Sequence, residues 1–302
     1  MFAVRFRAWL KGYTLSSKLP TLILSAAIAC AAGVSQDHAA GTPQENAVQL
    51  VSEVVANELR AQEVDHSLWS YRQTQHQGGG SEELEVVETP LGSIHRLLQR
   101  NGRQLDPEAA KKEDSRIAQV VAHPDPIRKR AREEQKDGKQ EADFLRMLPD
   151  ALDFQYSAIN NGVVTLEFTP RSSFKPHHHE GELFHHMSGR LLIDALQKRL
   201  VEIDGHLTSE VKFGGGILGH LDKGGTFIVN QKGVGGGHWE MTRLVITMNG
   251  KALFFKTIDV HHDEQNVDFR PVREEITLQE AAELLHGAPS TPRQAQQGSQ
   301  SQ

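Results

Sequence analysis

The sequence predicts an α+β fold built on one large antiparallel sheet. A helical pattern at residues 45–62 comes first, a strand meander follows, and from residue 151 onward strand-like runs succeed one another with turn residues between them. Consecutive strands joined by short turns pair antiparallel, whereas a doubly wound nucleotide fold alternates its strands with helices. The order of the elements therefore favours α+β over a nucleotide-binding fold.

The first 44 residues are predicted to precede the folded domain. Four basic residues in the first 18 positions come before an apolar run at 19–34, and the first acidic residue is Asp37. This pattern is typical of a secretory signal peptide, and the run is short for a membrane span. We predict a signal peptide at 1–29, a linker at 30–44, and export to the periplasm or outer membrane of a Gram-negative-type bacterium.

Cys30 is the only cysteine of the chain, so an internal disulfide is excluded. It ends the stretch AAIAC, which resembles the lipobox at which bacterial lipoproteins are cleaved and acylated. Small residues also permit ordinary cleavage after Ala29 or Ala40, which would give a soluble periplasmic protein. Cys30 is therefore a candidate lipidation site and membrane anchor, and both forms of the mature protein stay open.

The charge of the mature chain argues against a nucleic-acid partner. Once residues 1–29 are removed, 29 basic and 39 acidic residues remain, which gives a net charge of −10. Such a surface repels phosphate backbones. We expect a monomer whose partner is a lipid or an acylated protein.

One helical pattern and then three strand patterns precede the segment that starts at residue 105. Helical spacing at 45–62 relates Val48, Val51, Val55 and Leu59. Runs at 66–75, 83–89 and 92–102 then alternate as strands, and the first of them places Trp69 and Tyr71 on one side.

Residues 105–149 read as a helical insertion in the sheet. Asp106 and Asp125 each precede a proline, which is the pattern of a helix N-cap followed by proline at the first helical position. The middle of the second helix, at 128–141, is rich in charge, and we expect it to be solvated. The two helices are expected to make apolar contacts mostly at their ends.

Strands return from residue 151 and end in a short helix. Asn161-Gly162 and Asn249-Gly250 predict two hairpin turns. Thr277 and Glu280 form a capping box that opens the last helix. The tail at 288–302 consists largely of Pro, Gln, Ser and Gly and is expected to be disordered, so the predicted single domain covers 45–287.

The stretch KFGGGILGHLDKGGTF at 212–227 tests the nucleotide hypothesis directly. Gly214, Gly216 and Gly219 match the dinucleotide-binding spacing, but a strand-like run follows where that motif needs a helix N-terminus. Gly225 stands where a phosphate loop needs its lysine. We expect these glycines to supply positive φ angles and bulges in a strongly curved sheet.

Five segments together resemble the LolA-like superfamily of periplasmic lipoprotein carriers, which includes RseB-type and LppX-type proteins. They are LEFTPRSSFKP at 166–176, MSGRLLIDALQKRLVEIDGHL at 187–207, GGGILGHLDKGGTFIVNQ at 214–231, GHWEMTRLVITMNGKALFFK at 237–256 and VDFRPV at 267–272. The resemblance covers residues 45–272. It implies an unclosed half-barrel with helices over the concave face and an apolar cavity for acyl chains.

The resemblance predicts a non-enzymatic envelope protein that holds a lipid or lipoprotein acyl chain, with a role in sorting lipoproteins to the outer membrane. Ten buried methylenes at about 0.8 kcal/mol each would support micromolar binding. Candidate cavity residues are Trp69, Tyr71, Leu166, Phe168, Leu244, Ile246, Leu253 and Phe255. Ordinary core packing is the alternative for each of them, and no cofactor is expected.

Two histidine-rich segments provide a competing hypothesis. The segments PHHHEGELFHH at 176–186 and HHDE at 261–264 offer His177, His179, His185 and His261 as metal ligands. Their spacing does not match the hydrolase zinc motif, and a solvated loop explains the same residues. No nucleophile elbow is present and no catalytic residue is expected. An envelope sensor or adaptor without a transported ligand is a further alternative.

Overall fold

The computed structural model describes residues 43–176, 179–216, 219–252 and 256–287. Six predictions fall wholly or largely outside the described residues: the signal peptide, the linker up to residue 42, Cys30, His177, the pair Leu253 and Phe255, and the tail. The side chain of His179 is also outside them. Among the described helices, none is both long and apolar enough to cross a membrane.

Helices and strands follow the predicted order. The helices are α1 (Pro43–Val64), α2 (Pro107–Ala122), α3 (Asp125–Ala151) and α4 (Leu278–Gly287). The strands are β1 (Leu68–Gln77), β2 (Gly80–Val87), β3 (Ile94–Arg100), β4 (Arg103–Gln104), β5 (Leu152–Asn160), β6 (Val163–Pro170), β7 (Met187–Asp194), β8 (Arg199–Leu207), β9 (Val211–Phe213), β10 (Gly219–Leu221), β11 (Thr226–Gly235), β12 (His238–Ala252) and β13 (Lys256–Val272). The helical insertion of the sequence corresponds to α2 and α3.

Within the described residues, 13 strands form one antiparallel sheet. Its order is β4-β3-β2-β1-β13-β12-β11-β8-β7-β6-β5, with β10 paired to β12 and β9 paired to β10. Because β4 and β5 lie at opposite ends of this order, the sheet does not close into a barrel. The predicted α+β fold class with a large unclosed antiparallel sheet is confirmed.

The chain divides into two compact units. The first takes in the chain up to residue 62, residues 137–228 and residues 247–259. The second takes in residues 63–136, residues 229–246 and the chain from residue 260 onward.

In the first unit, α1 is fastened to the turn between β7 and β8. Glu58 accepts hydrogen bonds from the Arg199 guanidinium at 2.8 and 3.0 Å and from the Leu200 backbone N–H at 2.9 Å. Asn57 donates to the carbonyls of Gln197 and Lys198. The predicted apolar stripe of this helix is buried at Val51 and Val55 and half-buried at Val48 and Leu59.

The glycine-rich segment of the first unit serves the sheet. Gly215 and Gly216 have φ angles of +66° and +93°, in a three-residue turn between strands. The residues that follow Gly219 continue as β10, so the helix that a dinucleotide site needs is absent among the described residues here. These positions provide the positive φ angles that the sequence led us to expect.

One of the two predicted hairpin turns is confirmed and the other is wrong. Asn161 and Gly162 have φ angles of +50° and +77°, as the turn between β5 and β6 requires. Asn249 and Gly250 instead lie inside β12. Gly250 pairs with Leu221, and a Cβ there would lie 2.2 Å from the His220 carbonyl oxygen. Glycine is needed for close approach of the backbones rather than for a turn.

In the second unit, α2 and α4 pack on one face of the strands. Their aliphatic side chains form one core with the strand residues; its buried members are Val87, Ile94, Ile117, Ile127, Ile276, Leu278, Ala281, Ala282 and Leu285. Two of the three predicted caps are confirmed: the Asp106 carboxylate accepts from the Ala109 N–H at 2.8 Å, and Thr277 and Glu280 exchange hydrogen bonds. The N-cap predicted at Asp125 is wrong, because α3 already begins at that residue.

The expectation that the middle of α3 is solvated is wrong at two positions. Asp137 and Glu141 are only 4% and 2% exposed. The helical face that buries Leu145 and Leu148 continues by one and two turns through Glu141 and Asp137, so both carboxylates lie on the packed side of the helix. Because charged residues fill nearly the whole segment, the sequence does not show this helical periodicity.

Candidate functional site

Strand β1 presents two different faces in the second unit. Trp69, Tyr71 and Gln73 alternate with Leu68 and Ser70 along the strand. Leu68 joins the core under α2 and α4, whereas Trp69 and Tyr71 belong to a separate cluster on the opposite face. That second face is the candidate site.

We call this second cluster the aromatic face; it comprises Trp69, Tyr71, Leu84, Val86, Leu97, Val234 and Phe269. The Phe269 ring stacks on Tyr71 at 5.2 Å and meets Trp69 edge-on at 6.3 Å. The pairing of β1 with β13 shifts between Ser70 and Arg72, and Asp268 has a φ of +58° at this bulge. The bulge supplies the extra residue that brings Phe269 to both rings.

The aromatic face is only partly closed. Trp69 and Tyr71 are buried, but Leu97, Val234 and Phe269 keep part of their surface exposed. All of its members come from strands, whereas helices supply six of the nine buried residues of the other core. A ligand could therefore reach the partly exposed members first.

We call Asp65, Glu88, His238 and Glu240 the acidic border of the aromatic face. The Glu88 carboxylate accepts from the Trp69 backbone N–H at 3.0 Å, and the His238 ring lies 5.8 Å from the Trp69 ring. His238 Nδ1 lies 2.7 Å from Asp65 Oδ2. These contacts join the polar group to one end of the apolar cluster.

Two carboxyl groups of the acidic border titrate abnormally in opposite directions. Burial, reinforced by the charges of Glu88 and Asp65, raises the pKa of Glu240 to about 7. Burial also acts to raise the pKa of Asp65, but hydrogen bonds from Ser67 and His238 outweigh it and hold that pKa below its ordinary value. Near neutral pH the border thus holds one ionised aspartate and one glutamate between its two protonation states.

We call Gln73, His262, Glu264 and Asn266 the amide border. Gln73 Nε2 donates to Glu264 Oε1 at 2.9 Å and to Asn266 Oδ1 at 3.1 Å. Asn266 Nδ2 donates to the same carboxylate oxygen at 3.0 Å and to the Met241 carbonyl at 3.2 Å. His262 Nε2 lies 3.5 Å from Glu264 Oε2. The buried polar group is held by these mutual contacts.

The amide border also has a defined orientation. A carboxylate can only accept, so the amide nitrogen of Gln73 must be the atom that faces Glu264. The two donor contacts, to Glu264 and to Asn266, therefore fix the orientation of the Gln73 amide.

Basic side chains of these strands lie mostly on the opposite face. Arg72 is 3.4 Å from Glu83 and 3.6 Å from Glu85, and Arg270 also pairs with Glu85. Burial raises the pKa of Glu85 even though both arginines attract its charged form. The alternation along β1 therefore separates this ion-pair group from the aromatic face.

The predicted cavity residues fall into two sets. Trp69 and Tyr71 lie together in the aromatic face, and Leu244 and Ile246 are buried on β12 of the same unit. Leu166 and Phe168, on β6, are buried in the first unit. Burial fits both a cavity wall and a packed core, so their role in binding stays a prediction.

Sequence reasoning missed Phe269 and both polar borders. Phe269 enters through a bulge, which strict alternation along β13 does not reveal. The alternating pair His238 and Glu240 was a usable signal for one border. The other border lies partly in the HHDEQN stretch, whose histidines and acidic residues point to metal ligands rather than to a border of an apolar face.

The metal hypothesis stays a prediction. His185 lies in a short 3₁₀ helix, His179–His186, with its ring 5.8 Å from Phe174 in the first unit. His261 is exposed on β13 in the second unit. Across residues 43–287, gaps excepted, no group of three or more His, Cys, Asp or Glu side chains is arranged to hold a metal ion.

Comparison with known proteins adds little to this description. No protein-family model matches the chain, and no curated protein matches it. Among solved structures, it is similar to a DUF1329 family protein from Desulfovibrio piger ATCC 29098 with 9% identity and a TM-score of 0.26, over 76% of this chain and 94% of that one. A similarity of this strength supports no conclusion about function, and the LolA-like resemblance stays a prediction.

Proposed function

We propose that this protein is a non-enzymatic envelope protein that binds a lipid or an acyl chain, and that the aromatic face contacts the ligand. The supporting observation is the difference between the two faces of β1 and β2 in the second unit. Helices pack on one face, whereas the other carries three aromatic rings whose cluster includes no helical residue. An apolar face of this kind, bordered by polar groups, is a usual feature of small-molecule sites.

The energetics are adequate for a carrier. Each methylene removed from water contributes about 0.8 kcal/mol, so a ten-carbon segment contributes roughly 8 kcal/mol before ordering costs. Micromolar affinity requires about 8 kcal/mol. This strength would allow a carrier to hold its cargo and still release it to an acceptor.

The location proposed for this function is the bacterial envelope. Residues 1–29 would direct export, and Cys30 would carry an acyl anchor after cleavage. Labelling cells with a radioactive fatty acid tests the anchor: the wild-type protein should become labelled and Cys30→Ala should not. If neither protein became labelled, the proposed acyl anchor would be wrong, but the proposed ligand binding would not be affected.

Mass spectrometry of the purified mature protein tests the function itself. We expect co-purified lipid, and we expect uptake of a pyrene-labelled long-chain alcohol followed by its fluorescence. Phe269→Ser should weaken probe binding by about tenfold, because it removes the ring that joins Trp69 and Tyr71. Leu284→Ser, at a half-exposed position on α4, is the matched control.

A folded protein that carries no lipid and takes up no probe would overturn the proposal. The sheet would then serve as a docking surface, as the sensor or adaptor hypothesis requires. Circular dichroism and thermal unfolding of each variant would establish that loss of binding is not loss of folding.

A further inference from the structure

We propose that strand β5 of the first unit pairs with β5 of a second copy of this chain, so that two sheets join edge to edge in a symmetric dimer. Strand β5 is the last strand at its end of the sheet, and β6 is the one described strand that pairs with it. Such a dimer goes beyond the proposed ligand binding, and it differs from the monomer that the sequence led us to expect.

The two ends of the sheet are protected to different degrees. At one end, β4 has only two residues, Arg103 and Gln104, and both are exposed. At the other end, β5 has nine residues, and its stretch 154–160 contains no charged residue and no proline. Proteins usually protect a free edge by keeping it short or by placing charges or proline on it. Within the described residues, the outward-facing backbone groups of β5 can therefore pair with another strand.

A bulge in β5 keeps its apolar side chains on one face of the sheet. Phe154, Tyr156 and Ile159 each lie opposite a buried residue of β6. Directly opposite residues share a face, which we call the core-side face. Strict alternation would place Tyr156 and Ile159 on opposite faces. The pairing shifts between Tyr156 and Ala158, and the extra residue there returns Ile159 to the core-side face.

The core-side face loses its cover along β5. Phe154 is fully buried, whereas Tyr156 is 37% exposed and Ile159 is 67% exposed. The residues opposite them on β6, Leu166 and Val164, are buried, so the uncovered region is confined to the edge strand. An apolar strip thus lies directly beside backbone groups that can pair, and covering it would remove apolar surface from water.

A second copy of the same strand fits this edge by charge and by symmetry. A two-fold axis places a strand opposite itself, so any charge near the axis would lie beside a like charge; the stretch 154–160 has none. With the axis between Ser157 and Ala158, Tyr156 lies opposite Ile159 of the second copy, and the pair occurs twice. An axis perpendicular to the sheet keeps both core-side faces on one side. The result is an aromatic ring beside a β-branched side chain, which is a favourable cross-strand pair.

Sedimentation equilibrium tests the dimer on mature protein that carries Cys30→Ala and therefore has no acyl anchor. A short edge pair is a small interface, so we expect a reversible dimer with a Kd of about 10–100 µM. Ile159→Lys places a charge on the pairing edge and should weaken dimerisation at least about tenfold. Leu284→Lys, at a half-exposed position on α4, is the matched control and should leave the Kd unchanged.

An engineered cysteine tests the position of the axis. Cys30 is the only cysteine of the chain, so Ala158→Cys in the Cys30→Ala protein introduces a single thiol next to the proposed axis. The two copies of this residue should lie within the distance that a disulfide spans. Under mild oxidation, we expect a covalent dimer to form at least about tenfold faster than with Leu284→Cys.

Four outcomes would overturn the proposal. The first is a Cys30→Ala protein that stays monomeric at about 500 µM. The second is a monomer that dimerises only after residues 288–302 are deleted, which would assign the edge to the tail. The third is a dimer that Ile159→Lys leaves unchanged, and the fourth is equal rates of linking at positions 158 and 284.

Folding of each variant is checked by circular dichroism. If Ile159→Lys does not fold, Tyr156→Lys introduces the same charge on the same face and should weaken the dimer to a similar degree. A monomeric protein that still takes up the pyrene-labelled alcohol would end this proposal and leave the proposed function in place, so the two fail separately.

Discussion

The two faces of β1 and β2 come from alternating residues of the same segments, yet they differ in how their polar groups are partnered. On the helix-covered face, Arg72 is held by Glu83 and Glu85, with opposite charges side by side. On the aromatic face, the neighbouring Gln73 donates to Glu264 and Asn266. The described partners of the buried carboxylates thus include guanidinium groups on the helix-covered face and amide groups on the aromatic face.

The largest expected effect comes from breaking the charge balance on the helix-covered face. Arg72→Met would leave the buried Glu85 with Arg270 as its remaining basic partner. Loss of one partner from a buried pair costs about 3–5 kcal/mol. We therefore expect the free energy of unfolding to decrease by an amount that approaches this range. Urea unfolding at pH 7 provides the measurement.

The same variant has a pH signature. Burial already raises the pKa of Glu85, and loss of Arg72 should raise it further. The deficit relative to wild type should therefore shrink as the pH falls and Glu85 becomes protonated. A deficit independent of pH would indicate that Arg72 acts through packing of its stem. Gln73→Met, on the other face, should cost only about 1–2 kcal/mol.

Aliphatic packing provides a second contrast between the faces. Ile117 is fully buried on α2, and Ile117→Ala should cost about 2–5 kcal/mol because it leaves a cavity in the closed core. Phe269→Ala should cost less stability, about 1–3 kcal/mol, because its ring is partly exposed, but it should reduce probe binding. Thermal unfolding and probe titration of both variants separate stability from binding. Reduced probe binding by Ile117→Ala but not by Phe269→Ala would contradict the assignment of the faces.

Sequence reasoning identified most of the fold because its signals were local. The Asp106 cap, the Thr277–Glu280 box and the Asn161-Gly162 turn each depend on residues within a few positions, and all three are confirmed. The hairpin turn predicted at Asn249-Gly250 is wrong, because glycine also suits a strand where two backbones approach closely. That approach is made by β10, which no local pattern reveals.

The candidate site was less accessible to sequence reasoning than the fold. Trp69 and Tyr71 were found by alternation, but their partner Phe269 depends on a bulge between strands separated by almost 200 residues. Glu240 and Glu264 look like ordinary solvent-facing charges in the sequence. Their importance comes from burial and from like-charged neighbours, which only the folded chain provides.

Glu240 provides the next largest expected effect, and its sign can be stated. Its pKa is about 7 in the folded protein and near 4.5 when unfolded, so the folded state holds the proton more tightly. Stability contributed by this proton is present below pH 4.5 and is lost as the pH rises through 7. A shift of this size corresponds to at most about 3.4 kcal/mol.

Glu240→Gln should remove this pH dependence. The variant should be more stable than wild type at pH 8 and nearly equal to it at pH 4.5, because glutamine imitates the protonated carboxyl group. Urea unfolding across this range, with Glu274→Gln as the exposed control, would measure the difference. If the free energy of unfolding depended on pH in the same way for wild type and Glu240→Gln, Glu240 would be solvated. It would then not belong to the acidic border.

The smallest expected effect concerns the contact between Asp65 and His238. Hydrogen bonds from Ser67 and His238 hold the pKa of Asp65 below its ordinary value, so the associated stability is present above about pH 4 and is lost as the pH falls further. Asp65→Asn keeps the shape of the side chain but removes its charge, and loss of a net hydrogen bond should cost about 1 kcal/mol at pH 7. The difference from wild type should shrink in acid, as measured by urea unfolding at pH 7 and pH 3.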